Sequence, residues 1–108
     1  MAIAFEQSSS ANIDNTTSGS ITTTASVGDV VLLSISQDGT NTGISLPSRT
    51  WTTVFAPSQA GGISHVSAVY YRVWTAGDVA SPTDTINLGA AERAIIISTT
   101  YSGVDTSS

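Results

Sequence analysis

Apolar and polar residues alternate with a period of two through most of this chain, in short stretches separated by turn-forming residues. Ile21, Thr23, Ala25 and Val27 alternate with Thr22, Thr24 and Ser26, which predicts a half-buried strand closed by Gly28-Asp29. Val30 to Ser36 begins as a continuous apolar run and ends alternating, the pattern of a central strand covered more fully at one end. Trp51, Thr53 and Phe55 mark a short strand that is expected to stop before Pro57. From about His65 to Trp74, one face carries Val69, Tyr71 and Val73 and the other Ala68, Tyr70, Arg72 and Trp74; with aromatic area on both, cover on both faces is expected. Ile86 and Leu88 predict another short strand, and in Arg93 to Tyr101 the residues Ile95, Ile97 and Tyr101 oppose Ala94, Ile96 and Ser98.

Between these runs lie the punctuators. Gln37 to Pro47 contains Asp38-Gly39, Asn41 and Gly43 and reads as a loop, Ser58 to Ser64 contains Gly61-Gly62 and reads as a mobile exposed loop, and Ala76 to Asp84 reads as a turn-rich connection. No window of helical length sustains a 3.6-residue period. Val-Gly-Asp-Val at 27–30 and Ala-Gly-Asp-Val at 76–79 look alike, but their surroundings differ and no repeat is inferred. With Ala2 to Phe5 as a first strand, about seven strands are expected. The predicted fold is all-β, an antiparallel β-sandwich of immunoglobulin-like or jelly-roll-like type, with a closed barrel as the alternative.

Size and composition narrow this picture. The 108 residues suffice for one domain, 1–108, with one core. Charged residues make up 10%, far below the usual quarter, and Ser and Thr fill the deficit at about a third of the chain. Thr suits a pleated surface and Ser suits turns and solvated strand faces. Positive charge comes only from Arg49, Arg72 and Arg93, against eight acids and a net charge of −5. Three scattered cations cannot supply a phosphate-binding patch, so nucleic acid and anionic membrane surfaces are not expected partners. Cysteine is absent, which removes disulfides, thiolate metal sites and cysteine nucleophiles. Met1 to Ala11 has no basic region and its apolar run stops at Phe5, unlike a signal peptide, and no run approaches the length of a membrane helix.

Candidate chemistry is sparse. His65 is the one histidine and the one ordinary general base, but no residue is identifiable that would orient it, and a structural role is the better reading. No G-x-S-x-G nucleophile elbow occurs. Asp38 with Asn41 offers a single carboxylate where calcium wants six to eight oxygens, so an Asp-Gly turn is expected there instead. No catalytic, cofactor or metal residues are assigned, and the chain is not expected to be an enzyme. Trp51, Tyr70, Tyr71 and Trp74 could form a flat platform for sugar stacking. Tyr70, Arg72 and Trp74 are therefore the candidate ligand-binding residues, with a host glycan as the candidate ligand; against this stands the simpler reading of core rings, with Arg72 over an aromatic face or reaching to solvent.

Several landmarks fall in a recognisable order. They are the Met1-Ala2-Ile3-Ala4-Phe5 opening with Ser-rich sequence after it, Gly28-Asp29 feeding Val30 to Ile35, and Pro47 shortly before Trp51-Thr52. Val69-Tyr70-Tyr71-Arg72-Val73 and Tyr101-Ser102-Gly103-Val104-Asp105 complete the set. Together they resemble a family of β-sandwich modules found in phage virion proteins, tail fibres and other exposed components, and in bacterial secreted or surface proteins. The resemblance implies a non-enzymatic virion component, a tail or fibre part or a capsid-surface decoration, with other virion subunits as partners; a carbohydrate-binding or adhesin module on a bacterial surface is the alternative. Modules of this kind usually continue with further strands after the Tyr-x-Gly-Val-Asp segment. The expectation is therefore a sheet completed by a neighbouring subunit, most simply as a homo-oligomer through sheet edges that lack lysine guards.

Overall fold

The computed structural model describes residues 2–59 and 64–104, so the expected Gly61-Gly62 loop tip and Asp105 lie outside the described residues. The chain runs β1 (Ala4–Thr22), β2 (Val30–Asp38), β3 (Thr52–Gln59), β4 (His65–Val73), α1 (Ala76–Ala80) and β5 (Thr83–Ser102). All five strands join one antiparallel sheet in the order β1-β5-β2-β4-β3. The all-β expectation is met. β2 sits in the middle, with Leu33 opposite both Tyr70 on β4 and Ser98 on β5.

Alternation decides which side chains enter the core. Val31, Leu33, Ile35 and Gln37 of β2 point inward with Val66, Ala68 and Tyr70 of β4 and Ala94, Ile96, Ser98 and Thr100 of β5, and all are buried. The inward Ser98 and Thr100 hydroxyls have partners. Ser98 Oγ meets Thr23 Oγ1 at 2.7 Å, and Thr100 Oγ1 donates to the Thr24 carbonyl at 3.1 Å, so the segment after β1 is tied beneath the sheet.

Five strands stand where about seven were expected because the outer pairs are continuous. Ala2–Phe5 and Ile21–Val27, separate strands in the local pattern, are not separate: β1 runs through the Ser-rich sequence between them and ends at Thr22, so 23–27 lie outside any strand; likewise Ile86–Leu88 and Arg93–Tyr101 are two ends of β5. Twenty residues of straight strand would reach about 65 Å at roughly 3.3 Å per residue, while the longest dimension of the molecule is 43 Å. The β1/β5 ribbon therefore bends. The bend falls where the register jumps from Thr16 opposite Glu92 to Ser18 opposite Asn87, leaving 88–91 facing Thr17 alone. Asn15, in the neighbouring irregularity, has φ 56°, a left-handed backbone that Asn tolerates better than most residues. Bending carries Ile21, Ile86 and Leu88 into the same core as Ile13, Leu33, Ile35 and Ile96.

Two local expectations are corrected. β3 does not stop before Pro57 but continues to Gln59, because β3 is an edge strand and its register shifts between Phe55 and Ser58, where the missing N–H breaks no ladder bond. The turn-rich connection contains a helical turn, α1. Thr75 Oγ1 accepts from the Asp78 N–H at 3.2 Å while the Asp78 carboxylate accepts from the Thr75 N–H at 3.0 Å, a reciprocal cap that starts α1 after Trp74.

Candidate interaction face

The three candidate ligand-binding residues fall beneath the sheet rather than on its surface. Tyr70 and Trp74 are 7% and 1% exposed. Neither ring presents a free face for stacking in this structure, and burial pushes the Tyr70 phenol up. Arg72 is partly exposed, and its head is held by protein partners rather than laid over a ring. Its Nε and Nη2 grip the two oxygens of Asp78 at 2.8 and 3.2 Å, and Nη1 donates to the Thr50 carbonyl. The cation over Trp74 is Arg49, with its guanidinium carbon 5.0 Å from the ring centre.

Arg49 is the hub that sequence reading missed. It donates to Asp84 Oδ1 at 2.9 Å, to Asp78 Oδ1 at 2.8 Å and to the carbonyls of Ser81 and Thr83. Trp51 Nε1 also donates to Asp84 Oδ1, at 3.1 Å. Two arginines and two buried aspartates thus lock the loop before β3 to α1 and to the start of β5. The available signal was the Thr75-x-x-Asp78 spacing in a chain with only three cations, where an arginine beside Trp51 has few roles other than pairing. Both guanidinium groups are held by partners inside the fold, while Asp84 Oδ2 and Trp74 Nε1 are buried without a protein partner among the described residues.

Burial pushes the Asp78 carboxyl up, but hydrogen bonds from Arg72, the Thr75 N–H and Arg49 outweigh it and hold the group well below the usual carboxylate range. A depressed folded value contributes stability that is present above the unfolded value near 3.9 and is lost as pH falls below it. We expect Asp78→Asn to cost about 2–3 kcal/mol at pH 7 and to flatten the acid limb of stability below about pH 5. Urea titrations from pH 7 to 2 check both; an acid limb as steep as that of the parent chain would exclude Asp78 as its source.

The sheet end near β2's C-terminus gathers the remaining polar candidates. His65 Nε2 shares a hydrogen bond with Ser67 Oγ at 2.9 Å, Asp38 Oδ1 accepts from the Arg93 N–H at 3.0 Å, and Asn41 Oδ1 accepts from the Gly43 N–H at 2.8 Å. Arg93 and Asp14 form an ion pair at 3.1 Å in which both side chains are largely exposed. A recess of about 530 Å³ lies among them. Among the described residues no three His, Cys, Asp or Glu side chains converge as a metal site would require.

The unusual feature is the other face of the sheet. Residues paired across strands share a face, so the outward set includes Phe5 on β1, Tyr101, Thr99, Ile97 and Ile95 on β5, Val30 and Leu32 on β2, Val73, Tyr71 and Val69 on β4, and Phe55 on β3. Phe5 and Tyr101 meet edge to face, 6.2 Å between ring centres. Serines fill the gaps between these side chains, Ser34 and Ser36 on β2 and Ser67 on β4, and charge returns only at the end occupied by Asp38 and Arg93. Among the described residues nothing covers this face: Phe5 is 60% exposed, Ile95 53%, Phe55 49%, Ile97 42% and Tyr71 37%. Taking about 200 Å² for a large side chain, these five alone leave on the order of 500 Å² open, the upper range for the largest patch of an ordinary monomer.

The two edges differ in protection. Both edges carry register shifts, three along β1 and two along β3; β3 adds Pro57, whereas β1 has neither lysine, arginine nor proline along its 19 residues. Against these observations, no family model, no curated protein and no solved structure matches the chain.

Proposed function

We propose that the chain is a non-enzymatic structural subunit of a phage virion, a tail or fibre component or a capsid-surface decoration, used in many copies and joined to other virion subunits through uncovered β surfaces. The observation that supports assembly above all is the outward sheet face. An apolar, uncharged surface of this extent is costly to leave in water and is the usual mark of a protein-protein contact. In this reading the immunoglobulin-like or jelly-roll-like sandwich expected from the alternation is a two-layer structure whose second layer comes from outside the chain, and the bare β1 edge is a further contact by strand addition. Support for the virion placement is the ordered set of landmarks from the Met1-Ala2-Ile3-Ala4-Phe5 opening to Tyr101-Ser102-Gly103. Among the described residues no helix is long and apolar enough to cross a membrane.

The reading has a direct test. An antibody raised against the chain should decorate particles purified from a producing host at regularly repeated positions in electron micrographs. Chains found free in the lysate and missing from particles would overturn it. A carbohydrate-binding or adhesin role is the second reading, favoured by the exposed rings of Phe55 and Tyr71. It requires glycan-array binding that Phe55→Ala or Tyr71→Ala removes, and a blank array would eliminate it.

A further inference from the structure

We propose that the outward face is covered by the same face of a second copy of this chain, so that two five-stranded sheets pack face to face about a two-fold axis and complete a sandwich between molecules. This rests on the assembly reading above and names the partner. Three observations converge on it.

The first is size. Five strands about 4.8 Å apart and nine residues long at roughly 3.3 Å per residue make a footprint of about 700 Å², close to the roughly 800 Å² that each partner buries in a standard stable interface. The outward side chains extend across that footprint from Phe5 and Tyr101 to Phe55.

The second is charge. Two copies each carrying −5 repel one another, so a self-contact must be built where the charges are not. The central outward positions of β5, β2 and β4 are Thr99, Ile97, Leu32, Ser34, Tyr71 and Val69, all uncharged. Asp14, Asp38 and Arg93 lie together at one end of the sheet, where they can form a wet rim without being buried.

The third is relief. Going along β2, the outward residues are Val30 and Leu32 and then Ser34 and Ser36; on β4 they are Val73 and Tyr71 and then Val69 and Ser67. On β5 the order is reversed, with Thr99 beside Leu32 and Ile97 beside Ser34. A two-fold axis lying between the sheets and running across the strands sets Leu32 of each copy over Ser34 of its partner and Thr99 over Ile97. Large against small is the arrangement that lets two layers interdigitate without voids. An isologous contact requires such self-complementarity, since the same patch serves both sides.

The test uses the full chain in solution. Sedimentation equilibrium should give twice the 11.0 kDa chain mass, and Ile97→Lys, which buries an unpaired ammonium at the contact, should raise the dissociation constant about a hundredfold or more while keeping a cooperative thermal transition. Because the chain has no cysteine, the geometry can be checked with single introduced thiols. Packed sheets lie about 10 Å apart, too far for a disulfide but within reach of a bismaleimide of similar span. A mixture of Leu32→Cys and Ser34→Cys chains should cross-link to each other in preference to either with itself, a readout that stands even if Ile97→Lys fails to fold. A monomer at millimolar concentration that still binds anilinonaphthalene sulfonate on its outward face overturns the second copy but leaves the assembly reading, with a different partner. A monomer that ignores the dye removes both. A dimer insensitive to Ile97→Lys and lost in Ser8→Pro overturns the face contact in favour of pairing along β1.

Discussion

Arg49→Met should cost about 3–5 kcal/mol of unfolding free energy, the range for removing one partner of a buried ion pair. Asp84 is fully buried, and its Oδ1 takes hydrogen bonds from Arg49 and Trp51 while Oδ2 has no protein partner. Without Arg49 that carboxylate is left in the interior with one neutral donor, the carbonyls of Ser81 and Thr83 lose theirs, and the Trp74 ring loses the cation stacked on it. Methionine keeps much of the packing volume, so the loss reports chiefly on the stranded charge. The double variant Arg49→Met/Asp84→Asn should recover a substantial part of the stability, because the charge itself is gone. Urea midpoints with unchanged slopes would measure both effects. A single-variant loss under about 1 kcal/mol, or a double variant no better than the single, would refute the stranded-charge account.

Ile96→Ala and Ile97→Ala, the same substitution at adjacent positions, should differ severalfold. Ile96 is fully buried among Ile35, Ala68 and the residues of the bent ribbon, and truncating it leaves a cavity, at a cost of about 2–5 kcal/mol. Ile97 is 42% exposed on the outward face and should cost less than about 1 kcal/mol in dilute solution, where chains are separate. At high concentration the Ile97 variant should fall further behind, since association contributes to the apparent stability of the parent by mass action. Equal losses in dilute solution would mean that both sides of the sheet are covered within one chain, which would remove the basis for the proposed contact.

The faces were legible in the sequence because alternation is a local property. Val69, Tyr71 and Val73 are opposed to Ala68 and Tyr70, and Ile95, Ile97 and Tyr101 to Ala94, Ile96 and Ser98, from spacing alone, and the registers agree. What spacing could not reveal is which side is covered, since two apolar faces on β4 and β5 look the same whether a second layer is present or absent. The strand number failed for a related reason. Ser8, Ser9 and Ser10 have poor intrinsic preference for sheet, and β1 exists there because β5 supplies its ladder, a tertiary cause invisible in a local window. The candidate ligand residues are ambiguous in another way: Tyr70 and Trp74 are amphipathic rings that suit a binding platform and a core equally, and Trp74 lies beside a loop residue, Trp51, with 6.1 Å between ring centres. The Arg49 cluster joins positions 29 to 35 residues apart, beyond any motif.

The pairing of β1 with β5 sets the order in which this molecule is built. Phe5 sits opposite Tyr101 and Ala11 opposite Ile96, so β1, made before the other four strands, cannot find its ladder until β5 has been made. β2, β3 and β4 follow one another in sequence and lie side by side in the order β2-β4-β3, so they can join early once β4 has been made, but their inward apolar side chains stay wet until β5 arrives. Closing so distant a pair is entropically expensive before any contact rewards it, and slow folding is the expected consequence.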